Sequence, residues 1–330
     1  MVTNPRAAVL EDYQDVARAL PDWEQLRGRV DVDFYSDAVT SEDALLKRLQ
    51  PYRILIPIRE RTRFPAATLD RLPELELLAI TGRNSGHVDV PAATRRGVLV
   101  VETGGSGVSA IEHTIGMILA VVRHLPQEDR AMRAGRWQTT MGIDLAGKTL
   151  GVVGLGRIGG KIAGFGTFLG MKVLAWGPTL TAERATAAGA SFVPLEKLMA
   201  ESDVVTLHTR LSDMTRGLIT ARHLALMKPT AYFVNSARGP IVDEPALVKA
   251  LRDRRIAGAA LDVFDVEPLP GDHPLLGLDN VVLTPHIGYV TTDAYEIFFK
   301  QAVENIVAYL DGKMPARALN PEALKNRTKA

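Results

Sequence analysis

Apolar residues fall in short runs separated by longer stretches of mixed polarity. The runs Ala7–Leu10, Val30–Phe34, Arg53–Pro57, Leu77–Ile80 and Val98–Val101 have the length and aliphatic content of strands. Helical patterns lie between them. One is Ser41–Leu49, where Ser41 and Ala44 are expected near the helix start. Alternation of strand and helix implies a parallel sheet covered on both faces, so the first ~100 residues are predicted to form one α/β unit.

A long helix is predicted over Ser109–His124, and a second series of strands follows it. These are Leu150–Val153, Lys172–Trp176, Val204–Leu207, Ala231–Asn235, Gly258–Leu261 and Val281–Leu283, a six-strand parallel series of the Rossmann kind. The final helix, Thr292–Leu310, is amphipathic and has no further strand to serve. It is expected to cross back and complete the first unit. That gives one discontinuous domain, 1–103 plus 293–330, and an inserted domain, 104–292, with hinges at the two crossings. The polar tail after Asp311 is expected to pack little.

Composition narrows the class. The 330 residues exceed the ~250–300 that one core usually serves. Hydrophobic residues make up 46% and charged residues 23%, an ordinary globular balance. A net charge of +1 supplies no overall field toward nucleic acid or membrane. There are no cysteines, which removes disulfides, thiolate catalysis and cysteine-ligated zinc and fits a reducing compartment. Glu11, Asp12 and Asp15 interrupt the N-terminal stretch, which has no signal-peptide core, and no apolar run approaches the ~18 residues needed to span a bilayer. A soluble cytoplasmic protein that binds neither nucleic acid nor membrane, and holds no metal, is expected.

The segment Thr149-Leu150-Gly151-Val152-Val153-Gly154-Leu155-Gly156-Arg157-Ile158-Gly159 reads strand, G-x-G-x-x-G, helix. Gly154 allows a tight turn, Gly156 lets a pyrophosphate approach the backbone, and Gly159 lets helix and strand pack closely. The helix N-terminus then offers free N–H groups to phosphate. A dinucleotide is therefore the expected ligand; the alternative is a glycine-rich turn in an unrelated α/β fold. The strand that follows ends at Trp176 and leads into Gly177-Pro178-Thr179, where an acid for the adenosine ribose is expected and none stands. NAD is the expected cofactor, with NADP left open because nothing at Gly177 repels a 2′-phosphate. Arg184 and Arg210 are candidate phosphate contacts, or solvated surface charges.

Three later strand ends carry polar residues: Asn235-Ser236-Ala237-Arg238-Gly239, Leu261-Asp262-Val263-Phe264-Asp265-Val266-Glu267-Pro268 and Thr284-Pro285-His286-Ile287-Gly288. An arginine there can clamp a carboxylate, a histidine can exchange a proton near neutrality, and a carboxylate beside the histidine can orient it. Taken singly, each has an ordinary alternative: a surface arginine, a turn histidine, a capping glutamate. Together, downstream of a dinucleotide loop, they match what hydride transfer to a carbonyl needs, a proton donor and an anion clamp.

In these residues the sequence closely resembles the D-isomer-specific 2-hydroxyacid dehydrogenase family, which includes phosphoglycerate, glyoxylate and hydroxypyruvate members. The resemblance is strongest from Leu145-Ala146-Gly147-Lys148-Thr149-Leu150 through Gly288, including Gly239-Pro240-Ile241-Val242-Asp243-Glu244 and Gly258-Ala259-Ala260-Leu261-Asp262-Val263. It implies an α/β protein of two Rossmann-like or flavodoxin-like parallel-sheet domains with a cleft between them, assembled as a homodimer. It implies Arg238 as substrate clamp, His286 as acid/base and Glu267 as its partner. It places Gly154, Gly156, Arg157, Ile158, Gly159, Gly177, His208, Ala237, Asp262 and Gly288 along the cofactor, with Asp262 on the nicotinamide amide. Glu112-His113 matches a segment of the interdomain helix and is expected to be structural.

The family's substrate loop corresponds to Thr81-Gly82-Arg83-Asn84-Ser85-Gly86-His87, so Arg83, Asn84 and Ser85 join Arg238 and His286 as substrate contacts, held largely through backbone N–H groups. Asn84 stands where the family usually has a second glycine, and Arg210 where a proline is common. Arg59 and Arg61 are further candidates for the substrate's side chain. The implied reaction interconverts a 2-hydroxy acid and a 2-keto acid, with domain closure excluding water. Two other readings remain at this point. Formate-oxidising relatives carry glutamine where Glu267 stands. Corepressors with this fold keep the triad but add extended disordered regions, where this sequence has a short tail.

Overall fold

A computed structural model describes residues 4–39, 41–83 and 85–326. The chain divides into two compact units, Met1–Ser106 with Val290–Ala330, and Gly107–Tyr289.

The first unit is built on a five-stranded parallel sheet of β1 (Arg6–Leu10), β2 (Asp31–Phe34), β3 (Ile54–Pro57), β4 (Leu77–Ile80) and β5 (Leu99–Glu102), in the order β2-β1-β3-β4-β5. This is the flavodoxin-like order, in which the chain reverses direction beside β1. The strands read as unbroken apolar runs because both faces are covered: every residue of β3 and β4 is buried. The helix Glu42–Leu49 starts where Ser41 accepts the N–H of Ala44, and it buries Leu46 and Leu49. The 19-residue helix Thr292–Leu310 packs within this unit. Trp23 lies edge-on to Phe34 and tilted against Phe299, with ring centroids 5.2 and 5.8 Å apart.

The tail after Asp311 departs from expectation by docking onto β5. Ala318 bridges Val101 in antiparallel fashion, and Leu319 N donates to Val100 O at 2.9 Å. Asn320, 1% exposed, accepts from Val100 N and donates to Val98 O and Thr94 Oγ1. The Asn320 side chain and the backbone of Arg317 and Leu319 together satisfy the free edge of β5, a role that composition does not reveal.

The second unit carries seven parallel strands: β6 (Thr149–Val153), β7 (Lys172–Trp176), β8 (Ser191–Phe192), β9 (Val204–Leu207), β10 (Tyr232–Asn235), β11 (Gly258–Leu261) and β12 (Val281–Leu283), in the order β12-β11-β10-β9-β6-β7-β8. Six strands were expected. The seventh, β8, is a two-residue edge strand with both residues exposed, so it has no apolar run to announce it. Adjacent residues enter opposite cores: Val153, Val205, Phe233 and Ala259 one, Val152, Val204, Val234 and Ala260 the other. The helix expected over Ser109–His124 ends at Val122. His124 is left-handed (φ 52°) and a second helix, Leu125–Arg133, begins after it with Pro126 in its first turn. Among the described residues, no helix is long and apolar enough to cross a membrane, and no cluster of side chains could hold a metal ion.

Candidate active site

The strands of the second unit end level. Val153 pairs with Trp176 and Leu207, Leu207 with Asn235, Asn235 with Leu261, and Leu261 with Leu283. Every one is the last residue of its strand. The sheet is parallel, so the segments following β6, β7, β9, β10, β11 and β12 all leave from one edge. The order reverses between β6 and β9, the switch point where open α/β sheets bind ligands.

At that point Gly154 (φ +101°) sits so close to the next strand's exit that a Cβ would lie 2.6 Å from Thr209 N. A Cβ on Gly159 would lie 2.0 Å from Gly154 O, so only glycine lets the helix Arg157–Phe168 begin here. Gly156 differs: nothing lies within 4 Å of its Cβ position. Two glycines close the loop and the third leaves open space before the helix N-terminus, a cradle for pyrophosphate. Ile158 is half-buried, and Arg157 turns its Nη1 to the Gly107 carbonyl at 3.2 Å. His208 N donates to Val153 O at 2.7 Å, and its Nε2 lies 3.0 Å from Thr206 Oγ1. Burial lowers the His208 ring to about 3, so it is neutral at physiological pH.

The segment after β10 is organised by Asn235, whose Oδ1 accepts Ala237 N and whose Nδ2 donates to Arg238 O, both at 3.0 Å. Ser236 Oγ lies 2.7 Å from Thr114 Oγ1, and Arg238 Nη1 donates to Ala237 O. Gly239 follows. A Cβ there would fall 2.1 Å from Phe264 C and O and 2.5 Å from Asp265 N. The Arg238 segment and the Glu267 segment are therefore pressed backbone to backbone.

Glu267 Oε1 accepts Phe264 N at 2.9 Å, and its Oε2 lies 2.6 Å from His286 Nδ1. The histidine has a left-handed backbone (φ 53°), and its ring meets Tyr289 edge-on at 5.5 Å. With Nδ1–H donated to the carboxylate, proton exchange falls to Nε2.

Beneath this loop lies Asp262, 1% exposed. Its Oδ1 accepts Thr284 Oγ1 at 2.6 Å and Ile287 N at 2.9 Å, and its Oδ2 accepts Gly288 N at 3.0 Å. His113 Nε2 reaches Oδ1 at 3.1 Å and Thr284 Oγ1 at 3.2 Å. Burial pushes the Asp262 carboxyl up, but the hydrogen bonds from His113 and Thr284 outweigh it and hold the group below its ordinary value. Thr284 and His113 thus hold Asp262, which in turn holds the His286 loop at Ile287 N and Gly288 N. Thr284 gave no sign in the sequence beyond its place one residue past a strand.

The NAD-binding-domain model of the D-isomer specific 2-hydroxyacid dehydrogenases matches residues 115–288, more than half of the chain. The chain belongs to the D-isomer-specific 2-hydroxyacid dehydrogenase family. It is 39% identical over 295 residues to a glyoxylate reductase of Thermofilum pendens, covering 87% of each chain. It is 39% identical over 283 residues to a D-3-phosphoglycerate dehydrogenase of Archaeoglobus fulgidus, covering 85% of this chain but 54% of that relative. A phosphoglycerate oxidoreductase structure from Vibrio cholerae O395 superposes with a TM-score of 0.89 at 40% identity, covering 94% of this chain and all of the other.

As a D-2-hydroxyacid dehydrogenase the protein uses NAD(P), and the glycine loop fits that group on its own geometry. Position 177 lies beside the loop: Gly154 N donates to Trp176 O at 2.6 Å, and a Cβ on Gly177 would meet Gly154 Cα at 3.8 Å. Arg184 hydrogen-bonds Thr179 O at 3.0 Å, and Arg210 is exposed. In the first unit, Gly82 (φ +77°) donates its N–H to Thr103 Oγ1 at 2.6 Å, Arg83 is exposed, and Ser85 O accepts Val88 N. Asn84 lies outside the described residues.

Proposed function

We propose that this dehydrogenase interconverts a D-2-hydroxy acid and its 2-keto acid, with His286 as acid/base, Glu267 as its partner and Arg238 as substrate clamp. The observation that carries the reading is the 2.6 Å contact between Glu267 Oε2 and His286 Nδ1 at the edge where the dinucleotide loop also opens. A dinucleotide held at that loop by its pyrophosphate would supply or take the hydride through its nicotinamide. Gly154, Gly156, Arg157, Ile158 and Gly159 would hold its pyrophosphate, Gly177 would face the adenosine ribose, and His208, Ala237, Asp262 and Gly288 would line the remainder. Asp262 Oδ2 accepts one N–H in the fold and has capacity for another donor.

In reduction His286 gives its Nε2 proton to the oxygen at C2; in oxidation it takes that proton back. Glu267 stabilises the positive ring and fixes its tautomer. Arg238 anchors the carboxylate and polarises the carbonyl. The resemblance adds Arg83 and Ser85 as substrate contacts, with Asn84 between them. Relatives named for glyoxylate and for 3-phosphoglycerate make small 2-keto acids the class to try. A homodimer in the cytoplasm, where reduced nicotinamide is supplied, belongs to the same proposal. Trp137 and Met141, 73% and 91% exposed in the second unit, offer apolar surface to a second copy.

The test is a panel of 2-keto acids assayed with NADH and with NADPH. Turnover of at least one acid, giving the D-hydroxy product, is expected. A purified, folded protein that binds cofactor but turns over no member of the panel would overturn the reading.

A further inference from the structure

The segment that carries Glu267 is held from behind by a second carboxylate–histidine pair. Glu244, first residue of the helix Glu244–Arg252, lies with Oε2 3.1 Å from Asp265 N and Oε1 3.2 Å from His273 Nε2. His273 Nδ1 accepts the N–H of Leu275 at 3.3 Å. A neutral imidazole that accepts at one nitrogen donates at the other, so the Nε2–H of His273 points at Glu244. One carboxylate therefore grips the same loop on both sides of Glu267. Side chains of the pair are only 14% and 18% exposed.

The loop needs such a grip. Between Leu261 and the short 3-10 turn at Pro274 there is no helix or strand. Glu267 is tied to Phe264 N, the residue before Asp265, and to His286. A shift of Asp265 moves Phe264 and with it the glutamate. Displacement by about 1 Å would stretch a contact of 2.6 Å past hydrogen-bonding distance. Gly239 removes the slack on the other side by contacting the Phe264 and Asp265 backbone.

We propose that Glu244 and His273 are positioning residues, which set the Phe264–Glu267 segment at the height where Glu267 meets His286. The proposal rests on the acid/base reading of His286. Both act through Glu267, by way of the Asp265 backbone and the Glu244–His273 contact.

The experiment compares His273→Phe, which keeps a ring but loses the donor, with His273→Gln, which keeps a donor. The Nδ1–H signal of His286 is followed in ¹⁵N-histidine-labelled protein, with His286→Ala to assign it. Steady-state kinetics, cofactor affinity and melting temperature are measured on the same samples. In His273→Phe the His286 signal should shift or broaden and kcat should fall roughly 10- to 100-fold, with cofactor affinity within about twofold of wild type. His273→Gln should recover most of both. Should His273→Phe fail to fold, Glu244→Gln, which removes one of the two acceptor oxygens, carries the same comparison. An unchanged His286 signal in a folded variant overturns the proposal, as does a loss of kcat that follows melting temperature and is not recovered by glutamine. A wild type that reduces no keto acid while its His286 signal still responds to position 273 would sink the reaction reading and leave the clamp standing.

Discussion

Glu267 Oε2 and His286 Nδ1 lie 2.6 Å apart, and this contact selects the tautomer that leaves Nε2 to exchange protons. The glutamate takes Phe264 N on its other oxygen, so both ends of the carboxylate are fixed. Replacing Glu267 with glutamine keeps the shape and removes the charge that stabilises the ring when it holds a second proton. We expect kcat to fall at least about tenfold in both directions, and His286→Ala to fall further, by the ~10²- to 10⁴-fold that general acid–base catalysis supplies. Cofactor binding, read by fluorescence titration, should stay near wild type in both variants. A His286→Ala protein within threefold of wild-type kcat would remove the residue from the mechanism.

Gly239 is predicted to be intolerant for a reason of space rather than backbone conformation. An alanine methyl would sit 2.1 Å from the Phe264 carbonyl, and backbone cannot rotate away as a side chain can. Gly239→Ala should cost about 1–3 kcal/mol of stability or more and displace the Glu267 segment. Urea unfolding measures the first effect and kcat the second. Wild-type stability and turnover together would show that the two segments are not pressed as described.

Cofactor choice is testable at Gly177. A Cβ there meets Leu180 Cβ at 3.4 Å and Gly154 Cα at 3.8 Å, ordinary contacts that the fold accepts. Gly177→Asp would set a carboxylate where it accepts the ribose hydroxyls of NAD and repels a 2′-phosphate. The ratio of NAD to NADP affinity should rise about tenfold or more. An unchanged ratio in competition titrations would remove position 177 from the ribose site.

Asp262 gives a pH signature. Its folded-state carboxyl lies below the ordinary value, because the hydrogen bonds outweigh the burial that opposes them. The unfolded carboxyl titrates near 3.9, so the stabilisation is fully present above that pH and is lost as pH falls through the folded value. Asp262→Asn also turns an amide N–H toward a backbone or hydroxyl donor. The variant should lose about 2–3 kcal/mol near pH 7, and the gap to wild type should narrow in acid. Denaturant melts at several pH values test this; a gap that stays constant down to pH 3 would argue against an ionised, stabilising Asp262.

Much of the site was legible because its residues sit at places where chemistry and chain geometry coincide. A strand end is visible as the last residue of an apolar run, so Gly154, Asp262 and His286 could be read one to three residues beyond Val153, Leu261 and Leu283. What surrounds them was less legible. Thr284 and His113 are 171 residues apart in sequence yet meet at 3.2 Å on Asp262, and nothing local in either segment encodes that meeting. The second helix, Leu125–Arg133, is silent in the sequence for another reason: Ala131 is its one buried residue, so it carries no apolar stripe to announce it.

By itself the sequence determined the alternation of buried strands with helices, the glycine loop and the chemistry available at each strand end. Those properties are local: they depend on periodicity, on the missing Cβ of a glycine and on the protonation of a side chain. Which strand ends stand level, which backbones touch at Gly239, and that Glu244 faces His273 emerge only in the folded chain. The tertiary structure also decided that Asn320, in a tail whose polarity predicted little packing, completes the edge of β5. Such pairings join residues tens to hundreds of positions apart. They follow from strand order and register, which arise when the whole sheet buries both faces at once, and no single segment carries that information.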